Sequence, residues 1–390
     1  MLRTGTPEEA GLRPERIELV RKRCREWVED GSHTAIAVLV ARRGVIALHQ
    51  AFGRLGPEPD APATPVDALF GVASISKTFV TTVAMMLVED GLLGLTRPVQ
   101  DYVPEFIGDR KDQVCVHHLM THTSGLTDED VFPVLLRRLA DGVELPPREP
   151  TQHPFVHAYM CLTTDVPMTR APGESMVYST YNIDLLAEIV RRVTASRFTD
   201  LCRDRIFSSV GMSDTFYVLP DEHFPRAVRD PTRSFLGVPV DSREARRTPM
   251  ASTGAHSTVR DMAVFVQMFL QRGVHNGRRV LSEFSVEEMT RNQIPGIPAD
   301  AFGQHHAEAS WGYAWAIGSH EKWPKFPTLP ARTFNHMGGS GALIWGDLDN
   351  ELVGVFFSTP TRFEQMPESV LEEPLFNADL FANAVYSAVE

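Results

Sequence analysis

The chain has 390 residues, 43% hydrophobic and 23% charged, with a formal net charge of −12. This is the composition of an ordinary globular chain, long enough for one large domain or two intertwined ones. The acidic balance, with no basic block, argues against a nucleic-acid partner, and no apolar run reaches membrane-spanning length.

The first residues, Met1 to Glu9, carry no apolar signal core, so the sequence reads as cytoplasmic. Cys24, Cys115, Cys161 and Cys202 are scattered, form no Cys-x-x-Cys pair and read as reduced, buried thiols. Residues 14–30 set Ile17, Val20, Cys24 and Trp27 among charged residues, the pattern of an amphipathic helix. Two β-rich runs, 33–41 and 45–52, flank Arg42-Arg43-Gly44 and predict a hairpin. A Pro/Ala-rich loop covers 56–65.

Ser74-x-x-Lys77 comes next, at the head of a run from Phe79 to Val88 that is apolar nearly all round and ends at Gly91. Residues three apart share a helix face, so Lys77 is expected beside the Ser74 hydroxyl. The helix N-terminus adds partial positive charge where an oxyanion would form. By itself Ser-x-x-Lys also describes an N-capped helix with a solvated lysine. A lysine heading a buried helix needs a chemical reason, and proton transfer is one.

Residues 117–126 predict a short helix closed by Gly125. His118 and His122 have i,i+4 spacing, which suits a metal, but no carboxylate lies within that turn, and packing and capping is the better reading. Residues 127–170 read as irregular, punctuated by Pro133, Pro146, Pro147, Pro150, Pro154 and Pro167 yet rich in apolar side chains. They suit either a lid or pocket wall, or a surface excursion packed on itself.

Pro172-Gly173 turns into Met176-Val177-Tyr178-Ser179-Thr180-Tyr181-Asn182, and Leu185, Leu186, Ile189, Val190 and Val193 then share one helix face. Residues 196–210 continue helical, and 261–271 and 286–292 are further helices. The C-terminal third turns to β, with strands at 312–317, 333–337, 342–345 and 352–358, a hairpin turn at Asp347–Asn350 and a final helix over 378–389. Trp311, Tyr313 and Trp315 alternate on a predicted strand and share a face, lining either an acyl pocket or the core. The pattern predicts an α+β fold: an antiparallel sheet from both chain ends, flanked by helices, with a mostly helical region inserted. The expected division is 1–70 with 255–390 for the sheet and 71–254 for the insert, the serine lying at the junction.

Taken in order, Ser74-x-x-Lys77, His118-Leu119-Met120-Thr121-His122-Thr123-Ser124-Gly125-Leu126, Pro172-Gly173 before Tyr178-Ser179, and His336-Met337-Gly338-Gly339 resemble the motifs of the serine β-lactamase superfamily. Within it the chain is similar to the class C β-lactamase-related branch, which includes family VIII carboxylesterases, D-aminopeptidases and small-molecule acyltransferases. The resemblance runs from Thr6–Leu12 to Val353–Phe357. It implies a β-lactamase/transpeptidase-like fold and an acyl-enzyme on Ser74. Lys77 would share the proton traffic, and Tyr178 would serve as general base and then acid. The backbone N–H groups of Ser74 and Gly339 would form the oxyanion hole.

Thr180 stands where the family's second motif has Asn, and a hydroxyl cannot span as an amide does. Asn182 is out of register. His336 stands where the third motif usually has Lys. A histidine near its ordinary pKa of about 6.5 is mostly neutral at pH 7, which favours neutral esters or amides over carboxylate-bearing substrates. Thr180, Tyr181, His336 and Gly338 are expected at the substrate. The resulting expectation is a serine hydrolase acting as a carboxylesterase on small neutral esters. Acyltransferase, D-aminopeptidase and β-lactamase activities are the alternatives, and a non-catalytic binding protein ranks last. The expected partner is a small-molecule ester or amide. The scheme needs no metal or organic cofactor and leaves the oligomeric state open.

Overall fold

The hairpin around Arg43-Gly44 supplies the second and third strands of the main sheet. Strands His33–Arg42 and Val45–Gly53 pair antiparallel across a turn in which Arg43 and Gly44 both have positive φ, 51° and 77°. Two successive positive φ values give the turn the twist that matches its strands. The computed structural model describes residues 2–231, 233–235, 238–247, 249–301, 304–319, 322–324, 329–361 and 377–390.

Across the seven-stranded sheet the order is Arg3–Thr4, Val45–Gly53, His33–Arg42, Leu352–Pro360, Ala342–Asp347, Thr333–Gly338 and Ala316–Ile317. Arg3–Thr4 runs parallel to its neighbour, and every other pairing is antiparallel. The α+β expectation holds: strands from both chain ends make one sheet. Its two faces follow the period of two. Ile36, Val38 and Val40 meet Ile17, Val20 and Trp27 of helix Pro14–Glu29 and Phe381 and Val385 of helix Ala378–Tyr386. Ala37, Leu39 and Ala41 face the opposite layer, which includes helix Val259–Leu270. Gly354 is required on this sheet, because a Cβ there would fall inside the ring of Trp345.

Helix Ser76–Glu89 is buried on every side from Ser76 to Leu87. Its hydroxyls turn back onto the helix itself: Thr78 and Thr82 donate to the carbonyls of Ile75 and Thr78, each at 2.7 Å. That satisfies them inside an apolar core. The helix packs on Thr180–Thr194, and Phe79 meets Phe207 and Phe265 edge to face. Phe70 pairs with Ser257 and Gly71 with His256, so the chain leaves the sheet region and returns to it at adjacent points, just before Ser74.

Three expectations need correction. Residues 127–170 are not irregular throughout, since they hold helices Asp128–Ala140 and Pro154–Thr163. The first begins at a Thr127/Asp130 capping box and contains Pro133, and the second starts with proline at a position where no N–H is needed. Phe132, Phe155 and Tyr159 interlock between them. The i,i+4 relation of His118 and His122 does not exist either. The helix is only Val116–Met120, and His122 lies beyond it at φ 58°. His118 accepts the Cys115 N–H at 3.1 Å, as a cap.

Nor is there a strand through Trp311, Tyr313 and Trp315. Ala314 has φ 62°, and the edge strand is only Ala316–Ile317. The three rings diverge: Trp311 lies by Tyr178, Tyr313 bonds His117, and Trp315 packs on Phe265, Phe269 and Phe334. All four cysteines are free thiols. Cys24 and Cys202 are buried, whereas Cys115 and Cys161 are only half-buried. Among the described residues no helix is long and apolar enough to cross a membrane.

Candidate active site

Ser74 lies in the single 3-10 turn Ala73–Ile75, which runs directly into helix Ser76–Glu89. Ala73, just before it, is held at φ 46°, a left-handed conformation that a residue with a Cβ seldom adopts and that surrounding packing must enforce. Lys77, one turn on, is completely buried. Its Nζ donates to Ser74 Oγ at 2.9 Å and reaches the carbonyl of Ser252 at 3.5 Å. It also lies 5.1 Å from the centre of the Tyr178 ring. A lysine in this position can exchange a proton with the serine hydroxyl without moving its stem.

Behind Lys77 sits a carboxyl group that motif reading passed over. Asp184 is fully buried on helix Thr180–Thr194 and accepts the Ser252 N–H at 3.3 Å. Burial pushes its pKa up to about 7, while the Ser252 hydrogen bonds and the Lys77 charge pull the other way. The signal was available: an acid set between Ile183 and Leu185-Leu186 on an apolar helix is out of place unless something answers it. Ser252 gave no such signal, because only tertiary packing brings it to Lys77.

Tyr178 precedes the same helix, whose N-terminus is closed by Asp128. That carboxylate accepts the Ser179 hydroxyl at 3.0 Å and the backbone N–H groups of Thr180 and Tyr181 at 2.8 and 2.9 Å. Thr180 is therefore committed through its backbone, with its side chain half-buried. Asn182 does not substitute for the family's amide: it is buried, and its Oδ1 accepts from Ser124 Oγ at 2.8 Å. Tyr181 was expected at the substrate, but it has no exposed surface and packs against Tyr159 in the core, 5.3 Å between ring centres. Its place at the second position of a helix turns it inward, away from Tyr178.

The opposite wall is strand Thr333–Gly338, which packs on the 73–75 turn. His336 is buried, and its Nδ1 donates to the Met337 carbonyl at 2.7 Å. Burial and the nearby Lys77 charge push it down to about 3, so it is neutral over the working range. Gly338 abuts the backbone carbonyl of Val72, where a Cβ would collide, so glycine there serves close approach of strand and serine turn. Gly339 faces open space, with no atom within 4 Å of a Cβ built on it. Trp311 and His122 complete this side. Trp311 stands edge-on to Tyr178 and His336, each at 5.9 Å between ring centres.

The structure thus gathers Ser74, Lys77, Tyr178, His336 and the Gly338-Gly339 edge and leaves Tyr181 in the core. A serine at a helix head, bonded to a buried lysine and facing a sheet edge, defines a serine hydrolase of the β-lactamase type. The chain belongs to the Beta-lactamase family, whose model matches residues 20–369.

Esterase EstB of Burkholderia gladioli is 30% identical over 224 residues, 55% of this chain and 54% of its own. An uncharacterized protein of Mycobacterium tuberculosis is 29% identical over 261 residues, 58% of this chain and 60% of its own. The chain thus spans less than two thirds of either relative. A penicillin-binding protein homolog from Caulobacter crescentus superposes with a TM-score of 0.76 at 20% identity, covering 97% of this chain and 99% of that one.

Proposed function

We propose that the protein is a carboxylesterase acting on small neutral esters through an acyl-enzyme on Ser74. Ser74 Oγ attacks the ester carbonyl carbon, and its proton passes through Lys77 and Tyr178 to the departing alkoxide. The backbone N–H groups of Ser74 and Gly339 receive the oxyanion, and water then releases the acid and restores the serine. The observation that carries the ester reading is the neutral, buried His336 at the position where a lysine would pair with a substrate carboxylate. The Lys77 amine beside Ser74 is engaged with the nucleophile itself. The name of the B. gladioli relative supports the same substrate class.

The test is hydrolysis of p-nitrophenyl butyrate, with nitrocefin and a D-alanyl amide in parallel and intact mass measured during turnover. The expected result is ester turnover through a butyryl adduct on Ser74, lost by on the order of 10⁴-fold or more in Ser74→Ala. Preference for nitrocefin or the amide would move the protein to the penicillin-recognising side, and turnover retained in Ser74→Ala would overturn the nucleophile.

A further inference from the structure

His122 belongs to a motif that the sequence analysis set aside as packing, yet it holds the chain on both sides of Tyr178. Its carbonyl accepts the Val177 N–H at 2.9 Å, and its ring Nδ1 accepts the Ser179 N–H at 3.2 Å. Between these two bonds its imidazole lies on the Tyr178 ring, 4.5 Å between centres with the planes 38° apart. Trp311 closes the far side edge-on at 5.5 Å. The backbone at His122, φ 58°, is what allows one residue to offer its carbonyl and its ring to the same strand of chain. We infer that His122 is the positioning residue for Tyr178, a clamp that fixes the phenol toward Ser74 and Lys77 without touching the substrate.

The clamp must be an acceptor at Nδ1, so the ring must stay neutral with its proton on Nε2. Its surroundings impose that state. Burial, the Lys77 charge and His336 hold His122 well below the usual histidine range. The neighbouring loop is tied to the same stretch, with Gly173 donating to the Thr123 carbonyl at 2.8 Å and Ser124 Oγ to Asn182 at 2.8 Å. His122 therefore sits at the middle of a seam, and its ring is the part of that seam that faces Tyr178.

This inference rests on the proposed role of Tyr178, and a double-mutant cycle separates the two. The measurement is kcat and KM for p-nitrophenyl butyrate in His122→Phe, Tyr178→Phe and the double variant, with thermal unfolding recorded for each. His122→Phe keeps a ring on Tyr178 but leaves the Ser179 N–H without its acceptor. The expected loss is about 10-fold or more in kcat with KM changed by less than about 2-fold, and no further loss once Tyr178 is already Phe. His122→Asn retains an acceptor at the Nδ1 position and tolerates positive φ, so it should keep kcat within about 3-fold, and it carries the test if the Phe variant does not fold.

Wild-type kcat in His122→Phe would overturn the clamp, as would losses that multiply in the double variant or an Asn variant as impaired as the Phe one. Full activity in Tyr178→Phe would overturn the role of Tyr178 itself, and the clamp with it.

Discussion

The two sides of the cleft are built on opposite plans. The lysine side is local: Ser74 and Lys77 are three residues apart, and one helical turn brings Nζ to Oγ. The histidine side is assembled from four separate stretches, with His122, Tyr178, Trp311 and His336 meeting ring to ring. Charge divides the same way. The lysine side holds an amine and a buried carboxyl, whereas the histidine side holds two imidazoles that burial and Lys77 keep neutral. Helical geometry thus fixes the nucleophile pair, and tertiary packing sets the polarity of the wall a substrate meets.

After loss of the nucleophile itself, the largest expected effect breaks the lysine side. Lys77→Met fills the same buried volume with a flexible apolar chain and removes the group bonded to Ser74. Ester turnover should fall about 10³-fold, the range that proton-transfer groups contribute. Asp184 would lose the positive charge that opposes its burial and stay protonated, so the variant should fold without a stranded carboxylate. Steady-state rates and the unfolding midpoint check both parts. A loss below about 10-fold would transfer the proton work to the histidine side.

A smaller effect comes from the seam between the sides. Gly338→Ala would drive a methyl group into the Val72 carbonyl, a backbone atom that cannot swing away. Overpacking of this kind costs about 1–3 kcal/mol. The strand end should back away from the 73–75 turn and carry Gly339 with it, with a fall in kcat of about 10–100-fold, since misplacement by an ångström is enough. Denaturant unfolding and kcat together read this out, and an alanine variant with wild-type kcat would show that the strand edge does not need this approach.

What was legible in the sequence follows the same division. The Ser74/Lys77 pair, the Arg43-Gly44 turn, the C-terminal hairpin and the helix over 14–29 depend on spacing and on residue type, and they were readable. Gly338 was expected at the substrate, whereas its missing side chain serves the approach of the strand to the Val72 carbonyl, a partner that no local pattern announces. Asp128 capping the helix after Tyr178, Ser252 over Lys77 and Trp311 against His336 are meetings between distant segments, and no local pattern announces them. Tyr181 was misplaced because adjacency to a motif was taken for adjacency to the cleft, whereas a residue in the first turn of a buried helix points where the helix sends it. His122 was weighed only as a helix neighbour of His118, whereas its φ of 58° takes it out of that helix and onto Tyr178.

The smallest expected effect sharpens the comparison by removing the one titrating carboxyl behind the lysine. In the fold Asp184 is raised to about 7 from an ordinary value of 3.8. Between those two pH values the native state keeps a proton that the unfolded chain has released, so this group's contribution to stability is complete below pH 4. It declines as pH rises and is gone above about 7.

Asp184→Asn resembles the protonated form, titrates nowhere and can still accept the Ser252 N–H. Wild type and variant should therefore be closest in unfolding midpoint below about pH 4, diverge steadily from there to about pH 7 with the variant the more stable by a few degrees at pH 8, and agree in kcat near pH 6 within about 3-fold. The groups facing Asp184 include Lys77, Asp128, Ser252, Tyr159 and Tyr217, and none of them changes in the variant. Thermal melts at pH 5 and pH 8 decide the matter. A difference between the two proteins that is the same at both values would mean that Asp184 does not titrate in this window and that Lys77 holds it as a carboxylate throughout.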